Sequence, residues 1–225
     1  MSACIYCIDN DIIKKLATFQ LFDNTLKLFD ASYEQVKILE TAKYKFEGDW
    51  KKFEAGKSRK TEDRVINYKQ VLYLTKNLAN ISEADIDRET FIQLSNLENI
   101  DEGEAILTTH AIKLIQNDKS AEIFTGDKRF IKALAKVNLP IIEQSLSNRL
   151  WCLEQLVLKN IEVYGFETIR DLIVPVRECD IQIKAVFGSG SKSTRDNSLV
   201  TLKDSIENLR KEAGNLLNPY PDCTP

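Results

Sequence analysis

The spacing of its short apolar runs restricts this chain more than any other feature. ACIYCI (3–8), SYEQVKIL (32–39) and AEIFTGD (121–127) read as buried strands, and stretches of helical period lie between them. Strands that alternate with helices build a parallel sheet covered on both faces. The expected fold is α/β, a three-layer parallel sheet flanked by helices.

The connecting stretches read as helices over about 11–19, over LFDNTLKLFDA (21–31), and over TAKYKFEGDWKKFEAG (41–56), which runs into a basic loop. Further helices are expected over 62–79 and 83–96, from Asp101 onward, and over KRFIKALAKV (128–137), with LPII (139–142) as a last short strand. Beyond this the pattern changes to helices without strands. The expected organisation is an α/β domain over 1–145 and an α-helical C-terminal extension over 146–225. In the extension, a helix over Asp171–Ala185 is interrupted near Pro175, and GSGSKSTRDNS (188–198) reads as a flexible connector. TLKDSIENLRKEAGNLL (201–217) is a last amphipathic helix, followed by a disordered NPYPDCTP tail.

A hydrophobic content of 43% against 29% charged residues suits a globular chain with a sizeable core. No apolar run approaches the roughly 20 residues that span a bilayer, so no membrane association is expected. MSACIYCIDND lacks the basic start of a signal peptide, and five scattered cysteines suit a reducing compartment. The expected location is cytoplasmic. Cys4 and Cys7 form a C-x-x-C with no second pair and no nearby histidine, so both read as core filler.

Ligands of open parallel sheets bind outside the carboxyl ends of the strands. Asp9 and Asp11 follow the first strand, Asp127 follows AEIFTG, and Glu104 lies in the first turn of the helix leading into that strand. Glu104 has a second reading, because D-x-x-E from Asp101 is also a helix capping box. Geometry permits Asp9, Asp11, Glu104 and Asp127 to cluster. Carboxylates that close repel one another, and hard divalent cations relieve the repulsion, all-oxygen ligation selecting Mg2+ or Mn2+ over zinc.

Net charge is −3, so any nucleic-acid contact has to be local. Residues 51–76 carry eight Lys and Arg, Lys57, Arg59 and Lys60 among them, against three acids. The stretch suits phosphate contacts, or equally a solvated loop and helix face. Lys128 and Arg129 follow Asp127 and are a second set of candidate substrate contacts. Tyr44, Phe46, Trp50 and Phe53 interleave with the basic stretch, as base-stacking or as core residues. His110 is the sole histidine, about a turn and a half into its helix, and reads as a packed or surface residue rather than a base.

IYCIDNDIIKKLA, IDEGEAILTTHA and IFTGDKRFIKAL resemble the three acidic blocks of PIN-domain nucleases over about residues 3–145. The resemblance implies Asp9, Glu104 and Asp127 as catalytic residues that hold Mg2+ or Mn2+, with Asp11 where many members carry a second polar residue. Members usually have a further acid after the second strand; here Glu40 is the nearest, with Glu47 a turn or two later. The implied activity is metal-dependent hydrolysis of RNA phosphodiesters. The family further implies a toxin or defence role, with an antitoxin or defence-system protein, or a second copy in a homodimer, as partner.

Two other readings compete. A non-catalytic PIN-like module binding RNA or protein agrees with the acidic net charge and the helical extension. A haloacid-dehalogenase-type phosphatase agrees with CIDND as its D-x-D. It lacks the later Asp expected about four residues after Gly126-Asp127, and it leaves Glu104 without a role.

Overall fold

The computed structural model describes residues 4–57 and 62–221. In chain order these form β1 (Ile5–Ile8), α1 (Asn10–Thr18), α2 (Phe22–Leu28), β2 (Val36–Leu39), α3 (Ala42–Glu54), α4 (Tyr68–Asn77) and β3 (Ala79–Ile81). Next come α5 (Arg88–Ser95), α6 (Glu102–Gln116), β4 (Ala121–Phe124), α7 (Lys128–Leu134), α8 (Pro140–Leu146) and β5 (Leu150–Trp151). The chain continues through α9 (Leu153–Tyr164), α10 (Phe166–Ile173), α11 (Ile181–Val186) and α12 (Arg195–Ala213).

The strands make one five-stranded parallel sheet in the order β3-β2-β1-β4-β5, within a three-layer α/β architecture. β1 pairs with β4 over Ile5↔Ala121 to Ile8↔Phe124. Tyr6, Cys7 and Ile8 are all buried, as are Ala121, Ile123 and Phe124. Central strands covered on both faces need mostly apolar residues, which is why β1 and β4 do not alternate cleanly; the one acid, Glu122, is half-buried and accepts from the Trp151 indole N–H. Cys7 is fully buried, as expected of filler. α6 crosses β1 to β4 and packs with α5 and α8, whereas α1, α3 and α4 pack together, as do α2, α9 and α12.

Several boundaries differ from expectation. LPII is not a strand. Pro140 stands in the first turn of α8, where its missing N–H costs nothing, and the last strand is Leu150–Trp151. The sheet therefore runs past residue 145. The expected helix 62–79 begins as a 3-10 turn (Glu62–Arg64) and stops at Asn77, because Leu78 turns extended into β3. The region around Pro175 is a 3-10 segment, Val174–Cys179, joining α10 to α11. The stretch 188–198 contains a 3-10 turn (Gly190–Lys192) and the start of α12, and buried Ser198 donates to the Val186 carbonyl at 3.2 Å.

The tail is docked as far as it is described. Leu217 bridges Leu150, and the Asn218 N–H donates to the Leu150 carbonyl at 2.7 Å. Tyr220 lies 5.6 Å from the Trp151 ring, and its hydroxyl donates to Glu162. The tail thus covers the β5 edge, which an open strand would otherwise offer to another chain. Residues of β5, α9 and α12 share one buried apolar cluster with β1 and β4. Among the described residues no helix is long and apolar enough to cross a membrane.

Candidate functional site

Strand order reverses between β1 and β4, since β2 and β3 extend from one side of β1 and β4 and β5 from the other. Connections leave such a point in opposite directions and open a crevice at the carboxyl ends of the two strands. The Asp9 N–H donates to the Phe124 carbonyl at 2.9 Å, which fixes Asp9 beside the end of β4. Asp9 occupies the N-cap position of α1 without making a side-chain capping bond. Burial, then the charge of Asp11, raises its carboxyl to about 6 against the pull of Lys45.

Asp127 caps α7. Its Oδ1 accepts from the N–H groups of Arg129 at 2.8 Å and Phe130 at 3.3 Å, and its Oδ2 pairs with Arg129 Nη2 at 3.0 Å. Burial alone would raise this carboxyl, but those bonds hold it below the ordinary value. Its own N–H donates to Thr125 Oγ1, and Thr125 is buried. A Cβ on Gly126 would stand 2.5 Å from Asp11 Oδ2, so glycine lets this loop close over α1.

Glu104 is part of a helix cap and also of an acidic cleft. The capping box is formed: Asp101 N–H donates to Glu104 Oε2 at 2.8 Å, and Glu104 N–H to Asp101 Oδ1 at 2.8 Å. Yet Glu104 is only 8% exposed, and burial raises it to about 7, with the charges of Asp101, Asp127 and Asp9 adding to the shift. A helix cap alone calls for no such surroundings. Asp101, Glu104, Asp127 and Arg129 line a cleft of about 230 Å³ with Asn99 and Ile100.

Other candidates stand elsewhere or are already engaged. Asp11 pairs with Lys15 and, at 3.2 Å, with Lys14, which hold it below the ordinary value although burial opposes this. Lys15 in turn pairs with Asp180, the cap of α11, at 2.8 Å. Glu40 is exposed after β2 and borders a separate cleft with Thr41, Ser82 and Phe91. Lys128 is a strut, not a free cation. Its Nζ lies 2.5 Å from Glu154, which is 2% exposed, and 3.0 Å from Ser205. Lys57 is exposed, while Arg59 and Lys60 lie outside the described residues. Phe46 is buried, Trp50 and Phe53 pack on Tyr68, and Tyr44 is exposed. His110 is buried, its Nδ1 2.8 Å from the Asp85 carbonyl, and burial lowers its pKa.

Among the described residues, no three His, Cys, Asp or Glu side chains form a group that could hold a metal ion. Asp127 faces Arg129, and Asp11 faces its lysines. Sequence reasoning treated Asp101 as a cap alone, although its position three residues before Glu104 also puts its charge in the cleft. The Lys15–Asp180 contact left no signal in the sequence, because it depends on how the C-terminal helices dock. No family model matches the chain, and neither does any curated protein or any solved structure.

Proposed function

We propose that the chain is a divalent-metal-dependent, PIN-like ribonuclease whose centre is the crevice at Asp9, Glu104 and Asp127. The observation that carries this reading is the pair Asp9 and Glu104 beside the strand reversal, with carboxyls raised to about 6 and 7. Burying acids near one another costs stability unless something else is gained. The donor chemistry suits Mg2+ or Mn2+, with Asp9 and Glu104 as ligands and Asp127 joining them in exchange for Arg129. A bound ion would supply a hydroxide near neutral pH and neutralise charge on the phosphate. Arg129, 84% exposed at its side chain, is the group that would then take a phosphate oxygen. A toxin or defence role with a protein inhibitor, or a homodimer, extends the same proposal on the family resemblance alone.

A non-catalytic RNA- or protein-binding module is the second reading, and one observation favours it. Asp127 and Asp11 are already neutralised by internal cations. Thermal unfolding with increasing Mn2+, run beside cleavage of a labelled RNA, separates the two. The nuclease shows Mn2+-dependent stabilisation by mass action and cleavage, and Asp9→Asn loses both. A chain that neither gains stability nor cleaves is the binding module. A beryllium fluoride adduct on Asp9 would instead favour the phosphatase.

A further inference from the structure

The acidic cleft does not end at Arg129. It shares Asn99, Ile100 and Arg129 with a larger groove of about 560 Å³. One wall is α7 and the turn that extends it, which present Arg129, Lys132 and Lys136. Arg129 and Lys132 share one face of α7 by their i, i+3 spacing, and Lys136 follows in the turn after the helix on the same groove wall. The span from Arg129 to Lys136 is about 10 Å at about 1.5 Å per residue. That takes in two to three backbone phosphates at about 3.4 Å or more per nucleotide.

The cations differ in what already holds them. Arg129 is tied to Asp127 at 3.0 Å, and Lys132 Nζ to Glu212 at 2.6 Å. Lys136 is exposed and has no ion pair among the described residues. The facing rim carries the amides of Gln93 and Asn99, with Glu98 as its acid. Between the walls, Ile100, Ala133, Val137 and Leu139 contribute apolar surface. Leu97 adds a side chain 39% exposed. Cations along one side and apolar surface between suit a chain with charged phosphates and flat bases. The described residues of the basic stretch 51–76 line neither this groove nor the acidic cleft.

We propose that this groove is the RNA track: a single strand whose scissile phosphate lies in the acidic cleft continues along α7, with Lys136 as a phosphate contact. The inference rests on the nuclease reading and adds where its substrate lies.

The test uses the full chain and a labelled single-stranded RNA oligonucleotide, with binding read by fluorescence anisotropy in EDTA over a salt series. Lys136→Glu should weaken binding by about tenfold or more, and Lys136→Ala should flatten the log–log salt slope by about 0.7, one lost contact on a single strand. Lys57→Glu, the same charge change in the basic stretch, should leave both nearly unchanged. If wild type binds and cleaves RNA but Lys136→Glu is unaffected, or is weakened no more than Lys57→Glu, the track is wrong and the nuclease reading stands. If wild type neither binds RNA in EDTA nor cleaves it with Mn2+, the nuclease reading falls and the track with it.

Discussion

Replacing Glu104 by Gln separates a helix cap from a charge held for a ligand. The amide oxygen can accept the Asp101 N–H that Glu104 Oε2 now accepts at 2.8 Å, and the Glu104 N–H bond to Asp101 is untouched. What disappears is a charge that burial and three neighbouring acids disfavour. Its carboxyl stands at about 7 against 4.5 for an unperturbed glutamate. At about 1.4 kcal/mol per tenfold in proton affinity, the ionised form costs the fold about 3 kcal/mol. That figure already includes the Asp101 N–H bond to the carboxylate, so the variant should be more stable than wild type by about 3 kcal/mol at pH 8.

The sign follows from proton counts. Below pH 4.5 the carboxyl is protonated in both states, and the substitution gains almost nothing. Between 4.5 and about 7 the native state keeps a proton that the unfolded chain has lost. Wild-type stability therefore falls as pH rises through that window, and the loss is complete above it. Asp9, raised to about 6, bends the wild-type curve the same way at lower pH, and less steeply once its neighbour's charge is gone. Urea unfolding at pH 4.5 and pH 8 reads the difference as a midpoint shift of about 1 M or more, present only at the higher pH. An equal shift at both values, or a variant less stable at pH 8, would refute the electrostatic account. Mn2+ at pH 8 should restore the wild type and leave Glu104→Gln unmoved.

Lys15→Met removes the cation between Asp11 and Asp180, and should cost about 3 kcal/mol in urea unfolding, because carboxylates left without their partner are worse than no pair at all; a loss below about 0.5 kcal/mol would mean that solvent already carries these charges. Asp127→Asn keeps a competent cap for α7 and gives up only an ion pair to a largely exposed arginine, worth at most about 0.5 kcal/mol, so its melting temperature should stay close to wild type while RNA cleavage falls by orders of magnitude. Full cleavage by purified Asp127→Asn would remove that residue from the centre.

The parts of the fold legible in the sequence are those where local pattern and burial agree. β1 and β4 are central and mostly buried, so their positions are apolar save the half-buried Glu122, and the runs announced themselves. β3 is a three-residue edge strand with Asn80 exposed, and β5 has two residues. Neither is long enough to display a period. LPII misled because two isoleucines after a proline look like a strand, whereas proline at the first helical position is pre-organised for α8. The positions of Asp9 and Asp127 were legible because each follows the carboxyl end of a buried central strand. That Lys15 would also be drawn onto Asp180, and Lys128 onto Glu154, was not, because both contacts depend on helices that arrive late in the chain, whereas the Asp11–Lys15 pair is a local i, i+4 contact of α1.

Those late helices decide what the crevice can hold. Asp180 at the start of α11, Glu154 on α9 and Glu212 on α12 each take a lysine from α1 or α7, namely Lys15, Lys128 and Lys132. Cations beside the strand reversal are thereby spent on docking the C-terminal region rather than on Asp9 or Glu104. Lys45 and the Asn10 N–H act on Asp9, and the Asp101 N–H on Glu104, but burial and neighbouring acids outweigh them, and both rise toward neutrality. Had Lys15 or Lys128 reached them instead, the acids would ionise at low pH and the site would already be neutral, with no charge left for a metal to compensate. The same docking engages Lys128 and Lys132, so that among the described residues of α7 and its following turn Lys136 is the lysine without an ion pair. The helical extension therefore leaves Asp9 and Glu104 without a lysine partner, and on the proposed reading a divalent cation would supply that positive charge.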